Sequence, residues 1–274
     1  MAARWPDLVL ARRPHAGAAF IRPLLIRDVS DSERFRWSVL AGERALEKLI
    51  YLLDRAEAGS DNAALSAALR TQLVDAIKAA GGYRITLNIA DLDAPVLRDS
   101  PARIAGTWDR FGAAVHFWLD SIDARAPIEV AIAALCPRYS GYLVTESTPQ
   151  SFACDWAGGA RRPGVTQFTA NGKPADVSDE DFYYNWQIKH SAISFDLHPL
   201  RWSYVRNAVA RPLTKNAPPF RSLVLEHFRE LEDFTEESRY FGDPKVVEEM
   251  YADLPGFCDA SSMITGPMSE YYFD

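Results

Sequence analysis

The chain is short of the features that tie a sequence to the commonest chemistries. Its 274 residues include three cysteines, Cys136, Cys154 and Cys258. The count is odd, the spacings are wide, and no Cys-x-x-Cys or His/Cys cluster suggests zinc. Ordinary reduced thiols are the expectation. No apolar run approaches the ~20 residues of a membrane span. The first residues, Met1 to Leu10, lack the apolar centre of a signal peptide, which makes a cytoplasmic protein the simpler expectation. Positive charge is also scarce: 30 Lys and Arg stand against 37 Asp and Glu, a net charge of −7. The pairs Arg12-Arg13 and Arg161-Arg162 are short and sit beside proline. Phosphate binding needs clustered cations, so nucleic acid is not an expected partner. Gly-rich phosphate loops, the Gly-x-Ser-x-Gly elbow and His-Glu-x-x-His are missing. Nucleotide and zinc-hydrolase chemistry lose their cheapest support, and neither cofactor nor metal is expected.

What remains is an ordinary globular composition, 48% hydrophobic and 24% charged, rich in aromatic side chains with seven Trp, eleven Tyr and fourteen Phe. Such a chain buries a sizeable core or lines an apolar cavity. Its length suits one large domain or two small ones.

Hydrophobic periodicity orders the elements. A strand is expected at Ala18–Ile26. A helix capped by Asp31 or Ser32 follows to about Arg55, with Leu46, Leu49, Ile50 and Leu53 at helical spacing. After Gly59-Ser60-Asp61-Asn62 a second helix runs to Ala80 and stops at Gly81-Gly82. Tyr83–Ala90 alternates as a strand. A loop with Pro95 and Pro101 follows, then a strand at Gly112–Leu119, a short helix from Pro127 to Leu135, and a strand at Tyr139–Thr145. The stretch Ser147–Pro163, with Pro149, Gly158, Gly159 and Pro163, reads as a linker. Beyond it come a strand (Val165–Ala170), a helix capped by Ser178 with Asp179, Glu180 and Asp181 in its first turn, strands at Trp202–Val209 and Arg221–Phe228, helices at Leu231–Ser238 and Pro244–Ala252, and a last strand at Met268–Phe273. The second half therefore reads β-α-β-β-α-β, the ferredoxin-like order. The first half reads likewise, with an extra helix.

The block Asp181-Phe-Tyr-Tyr-Asn-Trp-Gln-Ile-Lys-His190 resembles the EthD signature of Phe, then Trp four residues on, then His four after that. Trp202-Ser-Tyr-Val-Arg-Asn207 resembles the family's second strand, and Tyr240–Pro244, Phe257–Asp259 and Glu270-Tyr271 resemble its closing portion. The likeness spans about 110 residues. It departs at Ser191-Ala192, where such domains often carry a proline. The resemblance implies an α+β fold of two ferredoxin-like βαββαβ halves: residues 1–148 as a diverged half, 149–163 as a linker and 164–274 as the EthD-type domain. In this wider group two four-stranded sheets pair into a dimeric α/β barrel, here formed within one chain. Its members include cyclases, isomerases, dehydratases, monooxygenases and haem peroxidases, so fold does not choose the reaction.

The candidate site follows from spacing. Phe182, Trp186 and His190 share one helical face. They form either a core face with one satisfied histidine or an aromatic pocket with a general base. Tyr204 and Asn207 face opposite sides of a strand, and Tyr204 shares its side with Trp202 and Arg206, a phenol and a cation suited to steadying an oxyanion. His116 and Trp118 share a strand face that would look across an intramolecular barrel. His227 reads as an exposed strand end, His198 as a loop residue, and Glu230, Glu232, Asp233, Glu236 and Glu237 as a solvated helical face. By family analogy His190 or His116 could ligate haem. The leading expectation is a cofactor-independent lyase or isomerase that decarboxylates, cyclises or isomerises a small aromatic or polyketide-like substrate, with His190 moving the proton and Tyr204 donating to the oxyanion. The alternatives are a binding protein of a degradation pathway and a cofactorless monooxygenase. Monomer and homodimer are both compatible with it.

Overall fold

The computed structural model describes residues 47–55, 62–91, 111–154 and 156–274. The strand expected at Ala18–Ile26, the helix start at Asp31 or Ser32, and the loop with Pro95 and Pro101 lie outside the described residues.

The first described element is a strand, β1 (Glu47–Asp54), where a helix was expected through Leu49, Ile50 and Leu53. The reason is two-sided burial. Leu49, Tyr51 and Leu53 join a cluster with Leu69, Leu73 and Ile77, while Ile50 and Leu52 join Phe168 and Leu225. With both faces apolar, the alternation that marks a half-buried strand is missing, and the run imitates a helix. The following helix, α1, comprises Ala63–Ala68, a π-helical turn Leu69–Leu73 and Val74–Ala79. It stops as expected at Gly81, whose φ of 85° suits glycine. Strands β2 (Tyr83–Ile89) and β3 (Phe111–Leu119), helix α2 (Ala126–Leu135) and strand β4 (Tyr139–Gln150) complete the N-terminal portion.

The C-terminal portion runs β5 (Val165–Gly172), then α3, formed by Asp179–Tyr183, a π-helical Tyr184–His190 and Ser191–Leu197. Strands β6 (Arg201–Pro212) and β7 (Phe220–Phe228), helices α4 (Leu231–Thr235), α5 (Glu237–Tyr240) and α6 (Pro244–Asp253), and strand β8 (Asp259–Phe273) follow. Ser178 caps α3 by accepting a hydrogen bond from the Asp181 backbone N–H at 3.0 Å. Ser191-Ala192 lets the helix continue where a proline would end it.

Eight strands close into one antiparallel barrel in the order β1-β3-β2-β8-β5-β7-β6-β4. The first four stand as β4-β1-β3-β2, and the last four repeat that order as β8-β5-β7-β6. The two sets join along β2–β8 and β4–β6. Among the described residues, closure gives every strand a neighbour on both sides. Because side chains alternate across a strand, each residue faces either the lumen or the helices outside. Ile50, Tyr142, Phe168, Leu223 and Met268 fill the apolar part of the lumen. Outside it, α1 and α2 cover the first sheet, and Phe182, Trp186 and Tyr204 pack between α3 and the second. At the two ends of the segment expected as a linker, β4 extends to Gln150 and Arg162 is buried against Glu270 inside the barrel.

Candidate functional site

Helix α3 carries His190 to a cavity between itself and the outer face of the second sheet. The cavity encloses about 90 Å³ and is lined by His190, Trp186, Tyr204, Glu226, Phe257 and Met250 among others. Phe182 lies behind Trp186, its ring centroid 5.8 Å away, and is fully buried. The first residue of the expected aromatic face is thus core, the second is cavity wall, and the third is the titratable group.

The His190 imidazole lies against Phe257, with ring centroids 4.5 Å apart. Its Nδ1 stands 3.8 Å from Asp253 Oδ2, too far for a hydrogen bond, and neither atom has another partner among the described residues. Asp253 is itself buried, and Lys189 Nζ lies 2.5 Å from its other oxygen. Burial lowers His190 to a pKa of about 4, against the opposing pull of Glu226 and Asp253. The imidazole is therefore neutral at pH 7 and can accept a proton. Across the cavity Glu226 accepts from Arg201 Nη1 at 2.6 Å and from Gln167 Nε2 at 3.1 Å. Burial would raise its carboxyl, but the charges of His198 and Arg201 outweigh this and hold it below its ordinary value. Tyr204 is buried, which raises its phenol, and its hydroxyl is 3.4 Å from Ser191 Oγ.

The other expected site residues divide between this cavity's rim and the lumen. Arg206 shares the face of Tyr204 but is tied to α3, donating to Gln187 O at 2.8 Å and to Ser191 Oγ at 2.5 Å. Trp202 does not share that face. The register shifts between Arg201 and Ser203, and Trp202 turns to Phe152, Trp156 and Arg162. Asn207 faces the lumen, opposite to Tyr204, and accepts from Lys48 Nζ at 2.7 Å. His116 is buried on the lumen side, while Trp118 lies at its rim beneath Arg84.

Two sequence expectations need correcting. His227 is buried, with Nδ1 2.7 Å from Thr166 Oγ1 and Nε2 2.7 Å from Pro163 O. His198 lies in a loop as expected, and is buried there with its Nδ1 2.9 Å from Tyr240 O. Within the acidic run, Asp233 is buried and pairs with Arg239 instead of facing solvent. The neighbours of His190 that sequence reasoning missed are Asp253 and Glu226. Asp253 lies 63 residues after His190 and ends a helix of unremarkable pattern, whereas Glu226 carried a signal: a carboxylate on the same strand face as Val224, in an otherwise apolar run.

The lumen holds a second, larger cavity of about 330 Å³, lined by Lys48, His116, Glu146, Arg162 and Glu270 among others. Among the described residues, no group of three or more His, Cys, Asp or Glu side chains is placed to hold a metal ion, and no helix is long and apolar enough to cross a membrane.

Comparison with known proteins bears on the fold. No protein-family model matches the chain, and no curated protein does either. A solved structure of an anthrone oxidase-like protein superposes with a TM-score of 0.52 at 10% identity, covering 85% of this chain and 95% of that one. The encapsulated DyP-type peroxidase of Mycobacterium smegmatis (12% identity, 82% and 92% covered) and a mutant chlorite dismutase of Candidatus Nitrospira defluvii in complex with cyanide (10% identity, 85% and 92% covered) give TM-scores of 0.45 and 0.42. Those two values are too low to carry an argument. The chain has an α+β fold around a closed eight-stranded antiparallel barrel, a fold it shares with the anthrone oxidase-like protein. A haem does not fit beside His190, because the enclosed space of about 90 Å³ is smaller than the roughly 150 Å³ that holds a single benzene ring.

Proposed function

We propose that the chain is a cofactor-independent enzyme of proton-transfer chemistry, a lyase or isomerase, acting on a small enolisable or aromatic compound in the cavity beside His190. The observation that carries this reading is the neutral, buried imidazole of His190, with Nδ1 lacking a hydrogen-bond partner among the described residues and a buried carboxylate 3.8 Å away. His190 takes the proton. Asp253 steadies the imidazolium that forms, and Tyr204 donates to the oxyanion as it develops. Trp186 and Phe257 form the apolar walls.

The volume sets the substrate class. A cavity of about 150 Å³ holds benzene in a protein interior, so a guest of one ring needs the outer wall to give way. Tyr251, 47% exposed, is the lining side chain with room to swing outward. A fused-ring polyketide is too large. We further infer that the two β4-β1-β3-β2 sets are diverged ferredoxin-like repeats and that residues 164–274 form an EthD-type domain, a reading supported by the repeated strand order and the motif residues around His190. A cytoplasmic location and a small aromatic partner belong to the same proposal.

The test is turnover of single-ring phenolic and enolisable carbonyl compounds by the wild type and by His190→Ala of unchanged circular dichroism. General-base catalysis contributes about 10²–10⁴-fold, and a loss in that range is expected. Unchanged turnover in His190→Ala sinks the assignment. Oxygen uptake coupled to turnover would move the reaction class to a monooxygenase.

A further inference from the structure

The lumen lies on the opposite face of the same sheet from His190. Ser203, Val205 and Leu225 line it, while their strand neighbours Tyr204, Val224 and Glu226 line the other cavity. We propose that the lumen is a separate binding site and that it takes a single-ring aromatic carboxylate.

Room comes first. The cavity of about 330 Å³ falls within the range of small-molecule sites. Charge comes second. A cation, a glutamate and an asparagine meet at each of the two joins between the strand sets. Lys48 donates to Glu146 and to Asn207 across β4–β6. Glu270 accepts from Arg162 Nη1 at 2.6 Å and from Asn88 Nδ2 at 3.0 Å across β2–β8. Within each trio the two charges cancel. Among the described lining residues Arg84 is the cation left over: it lies 3.8 Å from the already paired Glu146 and is half exposed at the rim. A ligand with one negative charge completes the balance.

Unmet hydrogen bonds come third. Arg162 Nε and His116 Nε2 are buried without a partner among the described residues. Arg162 Nε–H requires an acceptor, and His116 Nε2 takes either role according to its tautomer. Both residues line the cavity. Buried polar groups left without partners in a folded protein call for a ligand or a water. The walls favour a flat guest. Phe152 and Trp156 stack with centroids 5.5 Å apart and planes 13° apart, and the Arg162 guanidinium lies 3.5 Å from the Phe152 centroid. The backbone adds an independent sign. Arg84 has a φ of 49°, at a bulge where the β2–β3 register shifts. A left-handed arginine at a bulge re-aims a side chain at a cost the fold retains.

Benzoate titrated into the full-length protein, followed by calorimetry, tests this. Saturable one-to-one binding is expected, with benzamide at least about tenfold weaker because charge-assisted hydrogen bonds are the stronger. Arg84→Gln is expected to weaken benzoate at least about threefold. Ser151→Trp, an exposed position on the cavity wall, is expected to abolish binding without lowering the melting temperature. His190→Ala is expected to leave benzoate binding unchanged, which separates this site from the proton-transfer site. The proposal is overturned by an absence of saturable binding at millimolar benzoate, by equal affinity for benzamide, by binding that survives Ser151→Trp, or by binding lost in His190→Ala.

Discussion

Arg84 shows how much a single residue can reveal. Among the described residues it is the only non-glycine with positive φ. A left-handed conformation costs an L-residue about 1–2 kcal/mol, a penalty glycine does not share. Arg84→Gly is therefore expected to unfold at higher urea than Arg84→Ala, by about 1 kcal/mol. Equal midpoints would mean that the bulge relaxes around any side chain. His190 makes a second prediction at this scale. A base must be unprotonated to act, so kcat/KM should rise with pH through the folded pKa of about 4 and then level off. An acid limb near the ordinary histidine value of about 6.5 would place the base elsewhere. Helix and strand spacing, together with the EthD-like motif, singled out His190, Trp186 and Tyr204, and the fold brings all three to one cavity. Asp253 was not legible in the sequence, since only the packing of α6 against α3 brings it near.

At the scale of elements, legibility followed the number of apolar faces. Strand β2 is covered by helices on one side and alternates visibly, whereas β1 is apolar on both sides and read as a helix. Trp202 was misplaced for a related reason: one extra residue in β6 exchanges the faces on either side of it, and composition does not mark a bulge. The start of β5 depends on a backbone contact the sequence does hint at. Gly164 has a φ of 82°, and a Cβ there would sit 2.0 Å from the Phe228 carbonyl oxygen. That oxygen is backbone and has little freedom to move. Gly164→Ala is expected to destabilise the fold by about 1–3 kcal/mol, read as a lowered urea midpoint. A change within error would show that the turn before β5 can be rebuilt.

For the whole molecule, the polar lumen was the part least visible beforehand. Lys48, Glu146, Arg162 and Glu270 are charged residues in or beside strands, and in an open sheet such residues face water. Only closure of all eight strands turns them inward. Their burial has a consequence for stability. His190 and His227 are lowered to about 4 by burial, and His116 is lowered well below 6.5 by burial and by Lys48. In the unfolded chain these groups take protons near their ordinary pKa of about 6.5. Their contribution is therefore complete above that value and is lost as pH falls from about 6.5 to about 4. Glu270, which burial alone would raise, is held at about 2 by Arg162, His227 and its hydrogen bonds, and adds a further loss between its ordinary 4.5 and that value. The melting temperature should fall steadily from pH 7 to pH 4 and further below it. A flat profile down to pH 4 would mean that the buried histidines are wetter than their surroundings indicate.

Closing the barrel within one polypeptide also frees its interior from repetition. Two identical chains would set every inward side chain twice about a two-fold axis. Here the matched registers keep some of that pairing, since Glu146 opposite Asn207 answers Glu270 opposite Asn88. Elsewhere they break it. Lys48, set against Trp118 and Val144, corresponds to Thr166, set against His227 and Met268. His116, beside Ile50, corresponds to Leu225, beside Phe168. A guest in a symmetric lumen would have two equivalent ways to lie, whereas in this one the two ends of a molecule meet different neighbours.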